Sequence, residues 1–222
     1  MKATEGTKYV DDMLKTNYEG AKKAGIKVGF YHFFRAKDEQ NAREQARHFV
    51  NTVKGMQNDL KHALDIETDE GLSNEALTKC AIAFLEEVKK LTGQDPIVYT
   101  NTSFARSRLT SDIAKYPVWI AHYGVDKPGD NPIWDRWIGF QYTDKGKVSG
   151  IAGNVDMNEF TSDIFFVAAK AKKPKQKVDA VQSAPSATGT YTIKSGDTFW
   201  DLERKNGWPH GTLQKLNPGV NP

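Results

Sequence analysis

The sequence holds one cysteine, Cys80, in 222 residues. An internal disulfide is therefore excluded, and the core must stand on packing. Cys80 falls among the apolar helix positions of "NEALTKCAIAFLEEVKKL", where a buried structural thiol is expected; a nucleophilic thiol would need access and a basic partner. No apolar run approaches the ~18–20 residues of a membrane-spanning helix, so no membrane partner is expected. The opening "MKATEGTKYV" lacks the apolar stretch of a secretory leader, so no export signal is visible. Neither charge sign dominates: the net charge is +3, too small to point to nucleic acid. Lys170, Lys172, Lys173, Lys175 and Lys177 crowd one short stretch, so the basic balance belongs to a local tether.

Several catalytic signatures are also missing. There is no G-x-S-x-G elbow, and "NTSFA" does not substitute for one. His32, His48, His62 and His122 are not paired with a serine or cysteine in such a motif. Walker loops and metal-ligand spacings are absent, so neither a metal nor another cofactor is expected.

What is present is ordinary for a soluble globular chain: 38% hydrophobic and 27% charged residues. The length accommodates one sizeable domain plus something small. The first ~165 residues alternate β-rich and amphipathic runs. Strands are expected at 26–34 ("IKVGFYHFF"), 62–67 ("HALDIE"), 96–101 ("PIVYTN"), 117–123 ("PVWIAHY") and 137–143 ("WIGFQYT"), with a last one in 153–160. Helices are expected at 9–25, ended by Gly25; at 38–53, capped by Asp38; and at 73–93, capped by Ser73 and stopped by Gly93. Strands alternating with helices imply parallel βαβ units in a barrel or open sheet. The helices thin out after residue 110, which suggests an irregular barrel. Residues 168–190 turn to Ala, Lys, Pro, Ser and Thr with no apolar period, the composition of a linker. Residues 191–222 then carry strand, turn and helix signals of their own.

The chemistry centres on "HALDIETDEGLS". Alternation along a strand puts Asp65 and Glu67 on one face and Leu64 and Ile66 on the other. Two carboxylates so placed raise each other's pKa, so one can hold a proton while the other stays ionised. Glycoside hydrolysis needs such a pair. A D-x-E at a strand end is weak by itself, and metal binding or a surface position remain open. Other strand ends add Tyr31, Phe33, Tyr99, Trp119, Tyr123, Gln141 and Asp156. Aromatics with carboxylates suit a sugar cleft; any one of the aromatics taken alone is better read as core, the set less so.

In order, "KATEGTKYVD", "GFYHFFRA", "ALDIE", "PIVYTN", "YPVWIAHYG", "FQYT" and "GNVDMNEF" resemble glycoside hydrolase family 25, the N-acetylmuramidase type of lysozyme, over about residues 2–165. The resemblance implies a flattened, irregular β/α barrel of TIM-like kind. It implies cleavage of the β-1,4 bond between N-acetylmuramic acid and N-acetylglucosamine in peptidoglycan, without a cofactor. It makes Glu67 the general acid. Asp65 orients or stabilises the acetamido group or the developing positive charge, and Asp156 belongs to the same acidic cluster. Glu5, Tyr31, Phe33, Tyr99, Trp119, Tyr123 and Gln141 become substrate-binding candidates.

"YTIKSGDTFWDL", with Gly196-Asp197-Thr198 at the turn, and "LQKLNP" resemble a LysM module, which binds N-acetylglucosamine-containing polymers. The expected organisation is a catalytic domain over 1–167, a linker over 168–190 and a wall-binding α+β module over 191–222. Relative to the family pattern, a first strand bearing D-x-S and its helix are expected to be missing ahead of Met1, and the last LysM strand after "NPGVNP". A fragment of a larger product is one expectation, and a catalytically impaired chain that only binds peptidoglycan is another. The partner expected is the peptidoglycan glycan strand, met by a monomer outside the cell, as a phage endolysin or a secreted autolysin. A hydrolase of another amino-sugar polymer, such as chitin, is a remoter alternative.

Overall fold

A computed structural model describes residues 1–129, 131–166, 199–206, 208 and 212–217. The chain divides into two units, Met1–Ala171 and Lys172–Pro222.

The first unit is built on one eight-stranded sheet. Its strands are β1 (Lys2–Glu5), β2 (Tyr9–Val10), β3 (Tyr31–Phe33), β4 (Ala63–Asp65), β5 (Ile97–Asn101), β6 (Val118–Ala121), β7 (Gly139–Gly146) and β8 (Val155–Phe160). They lie in the order β2-β1-β3-β4-β5-β6-β7-β8. From β1 to β7 the sequential neighbours are parallel, and antiparallel β2 and β8 form the two edges. The helices are α1 (Leu14–Lys23), α2 (Glu39–Val53), α3 (Asn74–Thr92) and α4 (Thr102–Arg108). This is the α/β class that the alternating pattern implies.

The helix signals act as expected. Asp38 accepts from the Asn41 amide at 2.7 Å and Ser73 from the Ala76 amide at 3.3 Å. Gly93 ends α3 at φ +71°, a conformation open to glycine at little cost. Ala42, Ala46, Phe49 and Val53 of α2 recur at helical spacing and are buried. With Leu77, Ala81, Phe84 and Val88 of α3, they cover Leu64, Ile66, Val98 and Ile120 on the outer face of the sheet.

His32 belongs to this packing. It stacks on Phe84 with centroids 4.9 Å apart, and its Nε2 lies 2.9 Å from Gln45 Oε1. Its Nδ1 is 2.7 Å from Thr4 Oγ1. The amide oxygen of Gln45 can only accept, so the ring carries its proton on Nε2 and accepts from Thr4. Burial lowers its pKa to about 4 and keeps it neutral. Cys80 is likewise buried, and burial, with Glu39 and Asp38 nearby, pushes its thiol up to about 11. The inner face has a smaller apolar floor of Ala63, Ile97, Ile138 and Ile164, against which Tyr31 and Trp119 pack.

Three elements differ from expectation. The helix expected from residue 9 begins at Leu14. Tyr9 and Val10 instead return beside Glu5 and Thr4 as β2, after a turn at Gly6 with φ +54°. The strand expected over 26–34 is reduced to Tyr31–Phe33, because Val28 O is taken by the Asp59 and Leu60 amides of an incoming loop. Finally, α4 follows β5 without a break, because Asn101 ends the strand and caps the helix.

In the second unit, α5 (Phe199–Asn206) and α6 (Thr212–Leu216) are joined by Glu203, whose buried carboxylate accepts from the Leu213 amide at 2.5 Å. The expected linker over 168–190 and the strand and turn of "YTIKSGDT" lie outside the described residues. No helix among the described residues is long and apolar enough to cross a membrane.

Candidate active site

Parallel register lines up one level of side chains across the inner face. Glu5 pairs with Phe33, Phe33 with Asp65, Asp65 with Tyr99, Tyr99 with Trp119, and Trp119 with Gly139. Gly139 makes room in this row: a Cβ there would stand 2.7 Å from Trp119 and 2.6 Å from Phe160. Two residues further along each strand, and so on the same face, Asn101 pairs with Ala121, Ala121 with Gln141, and Gln141 with Asn158. Glu67 extends from β4 to this upper level. The site thus occupies the carboxyl end of the parallel strands, where α/β folds place their chemistry.

Lys2, Tyr31, Phe33, Asp65, Glu67, Tyr99, Trp119, Gln141 and Asp156 line one cavity of about 290 Å³. The structure therefore gathers eight of the ten candidate residues in a single place. Tyr123 lies in an adjoining open groove of about 640 Å³, which shares Glu67 and is also bordered by Asn101, Arg106 and His122. A further space of about 520 Å³ is walled by Lys61, Pro117 and Ile138, which precede their strands and so mark the opposite end of the sheet.

Glu5 sits in the row but not in the cavity wall. It is held by Lys2 at 2.7 Å and by Arg35 at 3.0 Å, and the Lys2 hydrogen bond leads in lowering its pKa. Arg35 also reaches Glu70 at 3.1 Å, and Arg108 reaches Asp69 at 2.9 Å. These pairs anchor the loop that follows Glu67. Its turn is tight, with Glu70 at φ +49°.

The two strand-end carboxyls differ in environment. Asp65 is 7% exposed, and its Oδ1 is buried with no hydrogen-bond partner among the described residues. Burial first, then the nearby Glu67, pushes its pKa up to about 8. Glu67 is half-buried; burial raises its pKa, a hydrogen bond from Asn101 lowers it, and Asp156 raises it. Asp156 stands on exposed β8 at the rim. The cavity thus holds one acid kept neutral by burial beside a second that is reachable from two sides.

The aromatic wall is fixed by its own contacts. Tyr99 meets Trp119 edge-on with centroids 4.6 Å apart, and Trp119 Nε1 donates to Asn158 Oδ1 at 2.9 Å. Gln141 Oε1 accepts from Tyr99 at 2.7 Å and from Tyr123 at 2.5 Å. This fixes the Gln141 amide and ties Tyr123 to the cavity.

Two residues escape a strand-by-strand reading. Lys2 lies over the Phe33 ring at 5.1 Å and moderates the Asp65 carboxyl. Asn101 carries a signal that was available: an asparagine ending a strand just before "TSFARSR" is a helix cap.

A sequence model of glycosyl hydrolases family 25 matches residues 1–151, and one of the LysM domain matches 191–222. The autolytic lysozyme of Clostridium acetobutylicum is 40% identical over 179 residues, covering 81% of this chain and 53% of that protein. Lysozyme M1 of Streptomyces globisporus is 36% identical, covering 72% and 58%. The chain therefore spans little more than half the length of these two relatives. Among solved structures, the bacterial lysozyme of Streptomyces coelicolor matches with a TM-score of 0.66 at 35% identity, covering 72% of this chain and 78% of that one. The CTP1L endolysin matches with a TM-score of 0.65 at 36% identity, covering 73% and 57%.

Proposed function

The chain belongs to glycosyl hydrolases family 25, and from that membership we propose that its first unit hydrolyses the β-1,4 bond between N-acetylmuramic acid and N-acetylglucosamine in bacterial peptidoglycan. The observation that carries this reading is the shared cavity of Asp65, Glu67 and Asp156 under an aromatic wall.

Glu67 is the general acid. It opens on both the cavity and the groove, so a glycan lying across the two brings a glycosidic oxygen to its carboxyl. Burial favours the protonated form that must be donated. Asp65, with a buried oxygen lacking a partner, accepts the N–H of a 2-acetamido group and orients that group beside the anomeric carbon. Asp156 at the rim adds negative charge toward the positive charge that develops in the transition state. Tyr31, Phe33, Tyr99 and Trp119 offer apolar faces to the sugar.

Residues 191–222 act as a wall-binding arm, tethered by 168–190. By holding the first unit on its polymer, the arm raises the local concentration of cleavable bonds. The chain works as a monomer on the bacterial cell wall, as a lytic enzyme of endolysin or autolysin type. Relatives named autolytic lysozyme and endolysin support that placement. Mass spectrometry of the digest tests the bond assignment: fragments should end in reducing N-acetylmuramic acid, and fragments ending in reducing N-acetylglucosamine would refute it.

A further inference from the structure

Asn101 sits where two structural demands meet. It is the last residue of β5 and the N-cap of α4, where its Oδ1 accepts from the Phe104 amide at 2.8 Å. A backbone N–H can only donate, so the limb of the amide facing Phe104 must be the oxygen. The other limb, the NH₂ group, is left to face Glu67, which borders the same groove. The sheet sets the distance. Asp65 is in register with Tyr99, and the Ile66 amide donates to Tyr99 O at 3.0 Å. Glu67 and Asn101 each lie two residues beyond that pair, on the same face.

We propose that Asn101 is a positioning residue for Glu67: the helix cap locks its amide so that the NH₂ group holds the Glu67 carboxyl toward the junction of cavity and groove. This rests on the reading of Glu67 as the acid. The bond has a chemical consequence as well as a geometric one. An N–H donor favours the ionised carboxylate, so Asn101 opposes the burial that keeps Glu67 protonated. Glu67 can then give its proton to the leaving glycosidic oxygen as the C1–O bond breaks, and take one back from the water that adds its hydroxyl to the sugar. On the cavity side, Glu67 is faced by Asp65, Asp156, Tyr31, Tyr99 and Lys2. On the groove side it is faced by Arg106, His122 and Tyr123. Of these groups, Asp156 is the one that adds to burial in raising the Glu67 pKa.

The cap makes the test clean. Serine and aspartate cap helices as asparagine does, but neither can donate an amide N–H to Glu67, and aspartate adds a like charge. The experiment follows the Glu67 side-chain carboxyl by ¹³C NMR titration in the full chain, assigned with Glu67→Gln. It compares wild type with Asn101→Ser and Asn101→Asp and records thermal midpoints alongside. Both variants should melt near wild type, with the Glu67 titration moved to higher pH in the serine variant and further in the aspartate one. On soluble peptidoglycan fragments, kcat of Asn101→Ser should fall by about tenfold with KM within about twofold. The basic limb of its pH profile should move upward. An unmoved Glu67 titration in both variants, or an unchanged kcat, overturns the proposal. If wild type releases no reducing ends, the hydrolase reading fails, and the titration still decides whether Asn101 governs Glu67.

Discussion

Asp65 on β4 stands in register with Tyr99 on β5, so a carboxyl buried to 7% exposure is walled on one side by a phenol ring. Phe33 occupies the matching place on the other side. A charged carboxylate is costly in that position, and the residue is held protonated well above the usual carboxylate range.

That cost gives a pH-dependent stability with a definite sign. The Asp65 pKa rises from 3.8 in the unfolded chain to about 8 in the folded one, so between those values the folded state binds more protons. Stability contributed by this group is full below pH ~4 and is lost as pH rises toward ~8. Asp65→Asn should therefore be more stable than wild type at pH 8, by an amount on the order of a few kcal/mol. The two should converge near pH 4, as measured by urea unfolding across the range. A wild-type advantage at pH 8 would mean that Asp65 is ionised and stabilised there.

Two substitutions at Trp119 separate its packing from the sugar contact proposed for it. Trp119→Phe keeps a ring against Tyr99 but strands Asn158, whose Oδ1 accepts from the indole. It should cost about 1 kcal/mol in stability and leave KM for soluble glycan within about threefold. Trp119→Ala removes the platform and should raise KM about tenfold or more. Steady-state kinetics on soluble fragments, with urea midpoints for both variants, distinguish the two effects.

The two-unit division carries its own prediction. Deleting residues 191–222 should abolish most retention on insoluble peptidoglycan in a pull-down, while turnover of short soluble fragments stays within about twofold. Equal retention without the arm would place wall binding in the first unit.

Much of this site was readable from residue order because parallel strands convert spacing into position. The i, i+2 placement of Asp65 and Glu67 put them on one face, and the strand-end aromatics Tyr31, Phe33, Tyr99 and Trp119 arrived in the same cavity. What could not be read depended on which segments pair. Tyr9–Val10 looks helical by composition, yet the turn at Gly6 folds it back on β1. Lys2 enters the cavity through its register with Tyr31 across 29 residues of chain. The cap at Asn101 is signalled by the sequence, but its place beside Glu67 comes from the register of β5 with β4. Glu5 shares its row with Asp65, but it is held by Lys2 and by Arg35, the second of them far along the sequence.

The most direct test is release of new reducing ends from purified peptidoglycan by wild type and by Glu67→Gln, with both shown to be folded by circular dichroism. Glutamine keeps the shape of the side chain but has no proton to donate. Wild type should release reducing ends at a rate at least about a thousandfold above the variant. Equal release by the two proteins, or none by folded wild type, would show that Glu67 is not the acid of a working muramidase.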